Sequence, residues 1–363
     1  MFKVISLQNF RGFREAQLVG LSRINVITGL NGTGKTSFLE AAFLICGGAN
    51  ASHAGKLYAF RGNNEYAPDY DKPFRWLFRH LDPELCPTIS ASTSQLQQKT
   101  KKHHRQLVIK PIYSLEASRI ASTEQSKALS GVSFEFTGPL GKKLSKWGWI
   151  QTKKTSDNKS QTKPMFSLGG EPNDNPDHVL AHFVSPYFRD IGMQDHDMVV
   201  RLTKEKRTVE AVNALKMIEP ALVNLVPLTE HAIATVYADT GEKNLLPISL
   251  LGSGLSNCLH ILLPSILYKN ATILVDEFED GLHHSVFAPL LDLAFKLARE
   301  NNNQLFITSH SNEFLQSLIT VAASSGADDV SFFRLSKKGI QGVIPKYSLT
   351  EASSVIESNL DIR

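Results

Sequence analysis

The sequence is poor in cysteine and has no apolar run long enough to cross a bilayer. Its 363 residues include three cysteines, Cys46, Cys86 and Cys258, and no CxxC pair. That count excludes a disulfide framework and a thiolate zinc site. It leaves each thiol as a small apolar side chain and suits a reducing, cytoplasmic setting. A membrane-spanning helix needs about 20 consecutive apolar residues, and no stretch supplies them. The opening MFKVISLQNFRGF has no signal-peptide core and reads as a strand. Internal repeats and sustained heptads are also missing, which excludes a solenoid and a coiled-coil arm.

Charge of one sign is scarce overall but not locally. The chain carries 39 Lys/Arg against 35 Asp/Glu, a formal charge of +4. Between Lys99 and Lys163 there are 14 basic and 4 acidic residues, a balance of +10 that leaves −6 for the rest. The basicity is therefore regional.

The first forty residues predict a strand at Phe2–Ile5, a turn at Asn9–Gly12, a strand at Arg23–Thr28, and a helix over Lys35–Cys46. That helix is apolar at Phe38, Leu39, Ala42 and Phe43 and is stopped by Gly47-Gly48. Residues 49–204 read as an inserted, loop-rich and basic lobe. Within it, a short helix is expected at Phe74–Leu81 and strands at Gln106–Ile112 and Gly131–Phe136. The polar segments Ser92–Arg105 and Thr152–Lys163 read as loops. From residue 205 strands and helices alternate: helix Val209–Met217, strand Ala232–Tyr237, helix Leu255–Tyr268, strand Ala271–Val275, helix Ser285–Arg299, strand Leu305–Thr308. The finish is a strand at Val330–Leu335 and a helix at Glu351–Leu360. Such alternation predicts an α/β fold, with a central mixed or parallel sheet wrapped by helices and built from residues 1–48 and 205–363.

Gly29-Leu30-Asn31-Gly32-Thr33-Gly34-Lys35-Thr36 satisfies GxxxxGK[ST] between a strand and a helix. In that pattern backbone N–H groups of Asn31, Gly32, Thr33, Gly34, Lys35, Thr36 and Ser37 curl around phosphate oxygens at a helix N-terminus. Lys35 reaches the β- and γ-phosphates and the Thr36 hydroxyl ligates Mg²⁺. Ile273-Leu274-Val275-Asp276-Glu277 is the matching acidic strand: Asp276 holds Mg²⁺ and Glu277 polarises the attacking water. ATP and Mg²⁺ are the cofactors this pair calls for.

Two further features surround that strand. Gly252-Ser253-Gly254 opens a helix before it, either as an ordinary capping turn or as a second anion-binding end. Thr308-Ser309-His310 ends the next strand, with His310 either a satisfied buried histidine or a contact to the γ-phosphate. A dimer in which Ser253 and Gly254 of one protomer close on the γ-phosphate held by the other accounts for the duplicated anion site.

LQNFRGF, LLGSGL, DEFEDGLHHS, FITSHSNEF and the terminal NLDIR together resemble the OLD-family branch of ABC ATPases, relatives of RecF and the SMC group. The resemblance spans roughly residues 1–48 and 205–363. It implies a P-loop NTPase fold of the ABC head type and ATP hydrolysis by a homodimer or higher even oligomer. It also implies a position near the nucleotide for Arg11, and a loop at Asp280–His283 through which each protomer senses the other's site. The chain departs from the pattern in its Gly-Ser-Gly order. No glutamine stands out as the Mg²⁺-sensing residue, with Gln95, Gln97 and Gln98 candidates by region. Only 53 residues follow His310, too few for the Toprim nuclease that OLD nucleases add.

In the middle segment, Lys99–Arg105 and Lys142–Lys163 with Trp147 and Trp149 read either as nucleic-acid contacts or as solvated loops. The functional expectation is an ATP-driven switch for DNA engagement, or for a separately encoded effector such as a nuclease, in DNA repair or anti-phage defence. The alternative is an ATP-dependent assembly scaffold with slow turnover and no nucleic-acid contact. A transporter subunit is disfavoured by the NFRGF opening and the GLHHS loop.

Overall fold

The computed structural model describes residues 1–62, 72–93, 104–113, 129–153, 163–170, 178–187, 191–231, 233–325, 328–336 and 342–357. The chain opens on a hairpin: β1 (Val4–Phe10) and β2 (Phe13–Val19) pair antiparallel around Arg11-Gly12. Sequence reasoning finds only the first of these strands. In FREAQLV the inward residues Phe13, Ala16 and Leu18 are separated by charged and polar ones without strict alternation. Next come β3 (Ile24–Thr28), α1 (Lys35–Gly47), α2 (His53–Phe60) and a short α3 (Lys72–Arg75). The helix expected at 74–81 is cut short: His80 and Leu81 take left-handed backbone conformations, leaving a 3-10 turn at Arg79–Leu81.

Five strands follow, β4 (Thr88–Ser92), β5 (His104–Tyr113), β6 (Leu129–Thr137), β7 (Lys143–Lys153) and β8 (Lys163–Gly170). Then come β9 (Ala181–Val184), α4 (Ile191–Lys204), α5 (Thr208–Leu215), β10 (Asn224–Glu230), β11 (Ile233–Asp239) and β12 (Leu246–Pro247). The last third runs α6 (Ser253–Leu267), β13 (Thr272–Val275), α7 (His284–Glu300), β14 (Gln304–Ser309), α8 (Asn312–Ser324), β15 (Val330–Arg334), β16 (Lys346–Tyr347) and α9 (Leu349–Glu357). Among the described residues no helix is long and apolar enough to cross a membrane.

These strands make a six-stranded sheet in the order β16-β15-β3-β14-β13-β9, a seven-stranded antiparallel sheet β2-β1-β4-β5-β6-β7-β8, and a small sheet β10-β11-β12. In the first, β15, β3, β14, β13 and β9 run parallel, so the C-terminal ends of β3, β13 and β14 lie along one edge. A ligand site in an open α/β sheet forms at that edge. Both faces of the parallel sheet are covered, which is why β3, β13 and β14 are buried at every residue. Val26, Ile273, Val275, Leu305 and Ile307 share one core with α6, α7 and α8. Ile27, Leu274, Phe306 and Phe333 share another with α1 and the antiparallel sheet.

Helix α1 lies between the two large sheets. Its sequence suggests one apolar face, yet Phe38 through Gly47 are all buried, as expected of a helix enclosed on all sides. The pairing also redraws the expected organisation. Residues 49–204 do not stand apart as an inserted lobe: β4 pairs with β1 in the seven-stranded sheet, and β9 forms the edge of the parallel sheet beside β13. A boundary at residue 204 would cut β9 and α4 away from the strand and helices they pack on. Local sequence carries no trace of such long-range pairing.

Gln304 fastens the N-terminus to this core. Its Oε1 accepts from the Phe2 N–H, and its Nε2 donates to the Phe2 and Ser22 carbonyls, all at 2.8 Å. Gln304→Leu removes the side-chain partner of the buried Phe2 N–H and of the Phe2 carbonyl, while the Ser22 carbonyl keeps its hydrogen bond from Asn25 Nδ2. It should cost about 2–4 kcal/mol of unfolding free energy, read from the urea midpoint at constant slope. A loss below about 0.5 kcal/mol would show that the N-terminus holds without it.

Candidate nucleotide-binding site

The loop after β3 is shaped by its glycines. Gly29 (φ 146°) passes so close to the Leu335 carbonyl that a Cβ would lie 2.4 Å from it. Gly34 (φ 102°) would drive a Cβ into the Phe13 ring. Only glycine satisfies both the close approach and the positive φ. The turn delivers the N-terminus of α1 into a cleft of about 610 Å³. Gly12, Phe13, Asn31, Gly32, Thr33, Gly34, Lys35, Thr36, Ser37, Arg61, Tyr187, Glu277 and Ser336 line it. Lys35 Nζ donates to the Gly29 carbonyl at 2.7 Å and to the Leu30 carbonyl at 3.3 Å. Burial lowers the Lys35 pKa, and the carboxylates of Glu277, Asp276 and Glu279 oppose that shift.

Asp276 follows β13 and is buried, at 3% exposure. Its Oδ1 accepts from the Thr308 hydroxyl at 2.6 Å. Burial pushes its pKa up to about 6, while Thr308 and the Thr36 hydroxyl at the start of α1 hold it down. Asp276 Oδ2 is buried with no hydrogen-bond partner. An unpartnered carboxylate oxygen beside a threonine hydroxyl is a hard oxygen donor set. It fits Mg²⁺, which takes few protein ligands and draws the rest from phosphates and water.

Glu277 adopts φ 47°, a left-handed conformation uncommon outside glycine. Its N–H donates to the Thr308 hydroxyl at 2.9 Å, so Thr308 fixes both acidic residues. The Tyr187 hydroxyl stands 3.5 Å from Glu277 Oε2. Two residues on, Glu279 Oε1 accepts from the Ser309 hydroxyl and from the N–H groups of His310 and Ser311. His310 Nδ1 lies 3.3 Å from the same oxygen, with the side chain 42% exposed. His310 is therefore neither a buried histidine nor one of the residues lining the cleft.

The structure thus brings Asn31–Ser37 and Glu277 into one cleft and sets Asp276 against Thr36. Arg11 goes elsewhere: its guanidinium donates to Glu40 Oε1 at 3.1 Å. The arginine that lines the cleft is Arg61, just after α2, which binds both Glu40 oxygens at 2.8 and 3.0 Å and reaches the Ser37 hydroxyl at 3.3 Å. Sequence reasoning missed Arg61 because no spacing rule links it to the loop. The one available signal was the buried-phase acid Glu40 in an otherwise apolar helix, which demands a cation. Gly252 and Ser253 are exposed at the start of α6, outside the cleft of their own protomer, and Gly252 and Gly254 have open space around them. Asn257 of α6 donates to the Asp280 carbonyl at 3.1 Å, and the absent Cβ of Gly281 gives it room. Gln95, Gln97, Gln98 and the terminal NLDIR lie outside the described residues, as does the Trp149 side chain.

Comparison with known proteins agrees with this geometry. A family model described as "AAA domain" matches residues 5–163, and one described as "AAA domain, putative AbiEii toxin, Type IV TA system" matches residues 166–316. The chain is 24% identical to an ATP/GTP phosphatase of Helicobacter pylori over 95% of both chains. It is 46% identical over 105 residues to the DNA replication and repair protein RecF of Desulforamulus reducens, covering 29% of this chain and 24% of that one. Its fold is similar to a crystal structure of the Smc head bound to the C-winged helix domain of ScpA. That match has a TM-score of 0.50 at 13% identity and covers 97% of this chain and 99% of the other.

The buried Asp276 charge carries a stability cost that depends on pH. Folding raises its pKa from 3.8 to about 6. The cost is therefore full above about pH 6 and disappears once both states are protonated, below the ordinary carboxylate range. Nucleotide-free Asp276→Asn should be more stable than the parent by about 3 kcal/mol at pH 8 and by about half that at pH 5. Urea denaturation at the two pH values checks this, and an equal gain at both would contradict it.

Proposed function

We propose that this chain, which matches two AAA-domain family models and is similar to an ATP/GTP phosphatase over nearly its whole length, hydrolyses ATP as a two-copy switch with shared sites. The triphosphate lies along the loop of residues 31–37, where backbone N–H groups and the positive end of α1 receive phosphate oxygens. Lys35 exchanges the Gly29 and Leu30 carbonyls for the β- and γ-phosphates. Thr36 and Asp276 would hold Mg²⁺, which would supply neutralising charge to the phosphates. Glu277, set at the cleft wall by Thr308, orients the attacking water and takes its proton. Arg61 adds a fixed positive charge on the same wall, held in place by Glu40.

The observation that carries the two-copy reading is the second helix N-terminus. Gly252-Ser253-Gly254 has the chemistry of an anion site, is exposed at Gly252 and Ser253, and is absent from its own protomer's cleft. On this reading it closes on the γ-phosphate of a second copy, and His310 joins the phosphate from its own side. The Asn257 hydrogen bond to the Asp280 carbonyl ties α6 to the loop that follows Glu277, so closure can reach the hydrolytic residue through it.

The output is engagement of DNA or of a separately encoded effector, in repair or defence. The antiparallel sheet supports the DNA reading: Trp147 is 40% exposed, and Lys143 and Lys146 line a groove beside it. An aromatic face among lysines can stack a base and neutralise phosphates. The similarity to a DNA replication and repair protein, RecF, over part of the chain supports the same reading.

Three variants test this reading. Glu277→Gln should bind ATP normally, lose turnover by at least about 100-fold and accumulate as a dimer in ATP. A monomer by light scattering at saturating ATP rules out shared sites. Lys35→Ala should abolish nucleotide binding, and retained turnover would show that the phosphate cradle lies elsewhere. Lys143→Glu with Trp147→Ala should remove any stimulation of ATPase rate by DNA while leaving the DNA-free rate intact. Absence of stimulation in the parent protein would favour the assembly scaffold.

A further inference from the structure

The mechanism above leaves Glu277 held by its backbone alone, and the structure places one side chain in position to hold its carboxylate. Strand β9 is the parallel neighbour of β13, and the Asp276 N–H continues the ladder by donating to the Val184 carbonyl at 3.0 Å. The residues after β9 are therefore delivered beside the residues after β13. Ser185-Pro186-Tyr187 meets Asp276-Glu277 there, and the Tyr187 hydroxyl lies 3.5 Å from Glu277 Oε2 inside the cleft that Lys35, Thr36 and Arg61 share.

Tyr187 is exposed as a side chain, at 54%, but its backbone is anchored. Its N–H donates to the Ser185 hydroxyl at 3.2 Å, and that hydroxyl donates to the Phe60 carbonyl at 2.5 Å. Gly62, at φ 76°, lies against the Tyr187 backbone, where a Cβ would make an ordinary contact of 3.4 Å with the Tyr187 carbonyl oxygen. Phe60 and Gly62 flank Arg61. One short connection thus joins the cleft's arginine, the tyrosine and the acid that faces the water.

We propose that Tyr187 is a positioning residue for hydrolysis: its hydroxyl donates to Oε2 of Glu277 and leaves Oε1 free to receive the proton of the attacking water. The inference rests on the reading of Glu277 as the base. A carboxylate on a flexible side chain explores several rotamers, and a donor on one oxygen selects the rotamer that aims the other. The 3.5 Å separation is at the outer limit of a hydrogen bond, and contacts of this kind shorten when a substrate completes the site. The tyrosine's own acidity follows the same contact: burial and the nearby Glu277 and Asp276 charges raise its pKa, so it remains a donor.

The test is steady-state ATPase kinetics of the full chain with Tyr187→Phe, which removes one oxygen and keeps the ring. The expected result is a kcat lowered about 10-fold, as for a lost hydrogen bond to a charged group, with nucleotide KM and directly measured ATP affinity unchanged. In a Glu277→Gln background the second substitution should cost less than twofold. A kcat within twofold of the parent, a loss expressed in KM, or an undiminished loss in the Glu277→Gln background overturns the proposal. If Glu277→Gln alone keeps the parent rate, the base assignment fails and the tyrosine role falls with it. If Glu277→Gln is inactive and Tyr187→Phe is not impaired, only the tyrosine role fails.

Discussion

The buried Asp276 carboxylate is the constraint around which this protein is arranged. Three separate stretches of chain meet at it: Thr36 at the start of α1, Asp276 at the end of β13, and Thr308 in β14. An ionised acid in such a site is costly unless partners or a cation offset the lost hydration. The two threonines supply part of that compensation, and one carboxylate oxygen is left over. That oxygen is free for the Mg²⁺ proposed here, and in its absence the buried charge lowers the stability of the fold.

Everything that feeds this point depends on parallel pairing. The strands β3, β14 and β13 are adjacent and run in the same direction, so the loops that follow them open on one edge. Helix α1 can start there because it is enclosed between two sheets. Its single buried acid, Glu40, is matched by Arg11 from the β1–β2 turn and Arg61 from the end of α2. That cluster fixes the hairpin and α2 to the phosphate-binding helix. A buried carboxylate flanked by two guanidinium groups holds geometry more than it adds stability, and here the geometry held is the wall of the nucleotide cleft.

The side of the molecule away from the chemistry follows simpler rules. Cys46 and Cys258 are buried, and burial pushes each thiol up to about 12, which leaves them as inert apolar side chains. Asp329, in the loop before β15, is bound by Arg299 at 2.8 and 3.0 Å and serves as a surface ion pair.

Local patterns in the chain set the chemistry of the phosphate loop and of the acidic strand. Glycines that must take positive φ, a lysine and a threonine at fixed spacing, and an apolar run ending in two acids are local patterns with local causes. The alternation after residue 205 likewise encodes a parallel sheet, because strands covered on both faces are apolar throughout. Tertiary structure alone decided that β2 exists, that β4–β8 extend the sheet begun by β1, and that β9 borders β13. It also decided that Arg61 and Tyr187, rather than Arg11, face the cleft. These are contacts between residues far apart in the chain, and they are set by strand order and side-chain direction. Neither quantity leaves a periodic mark on the amino-acid string.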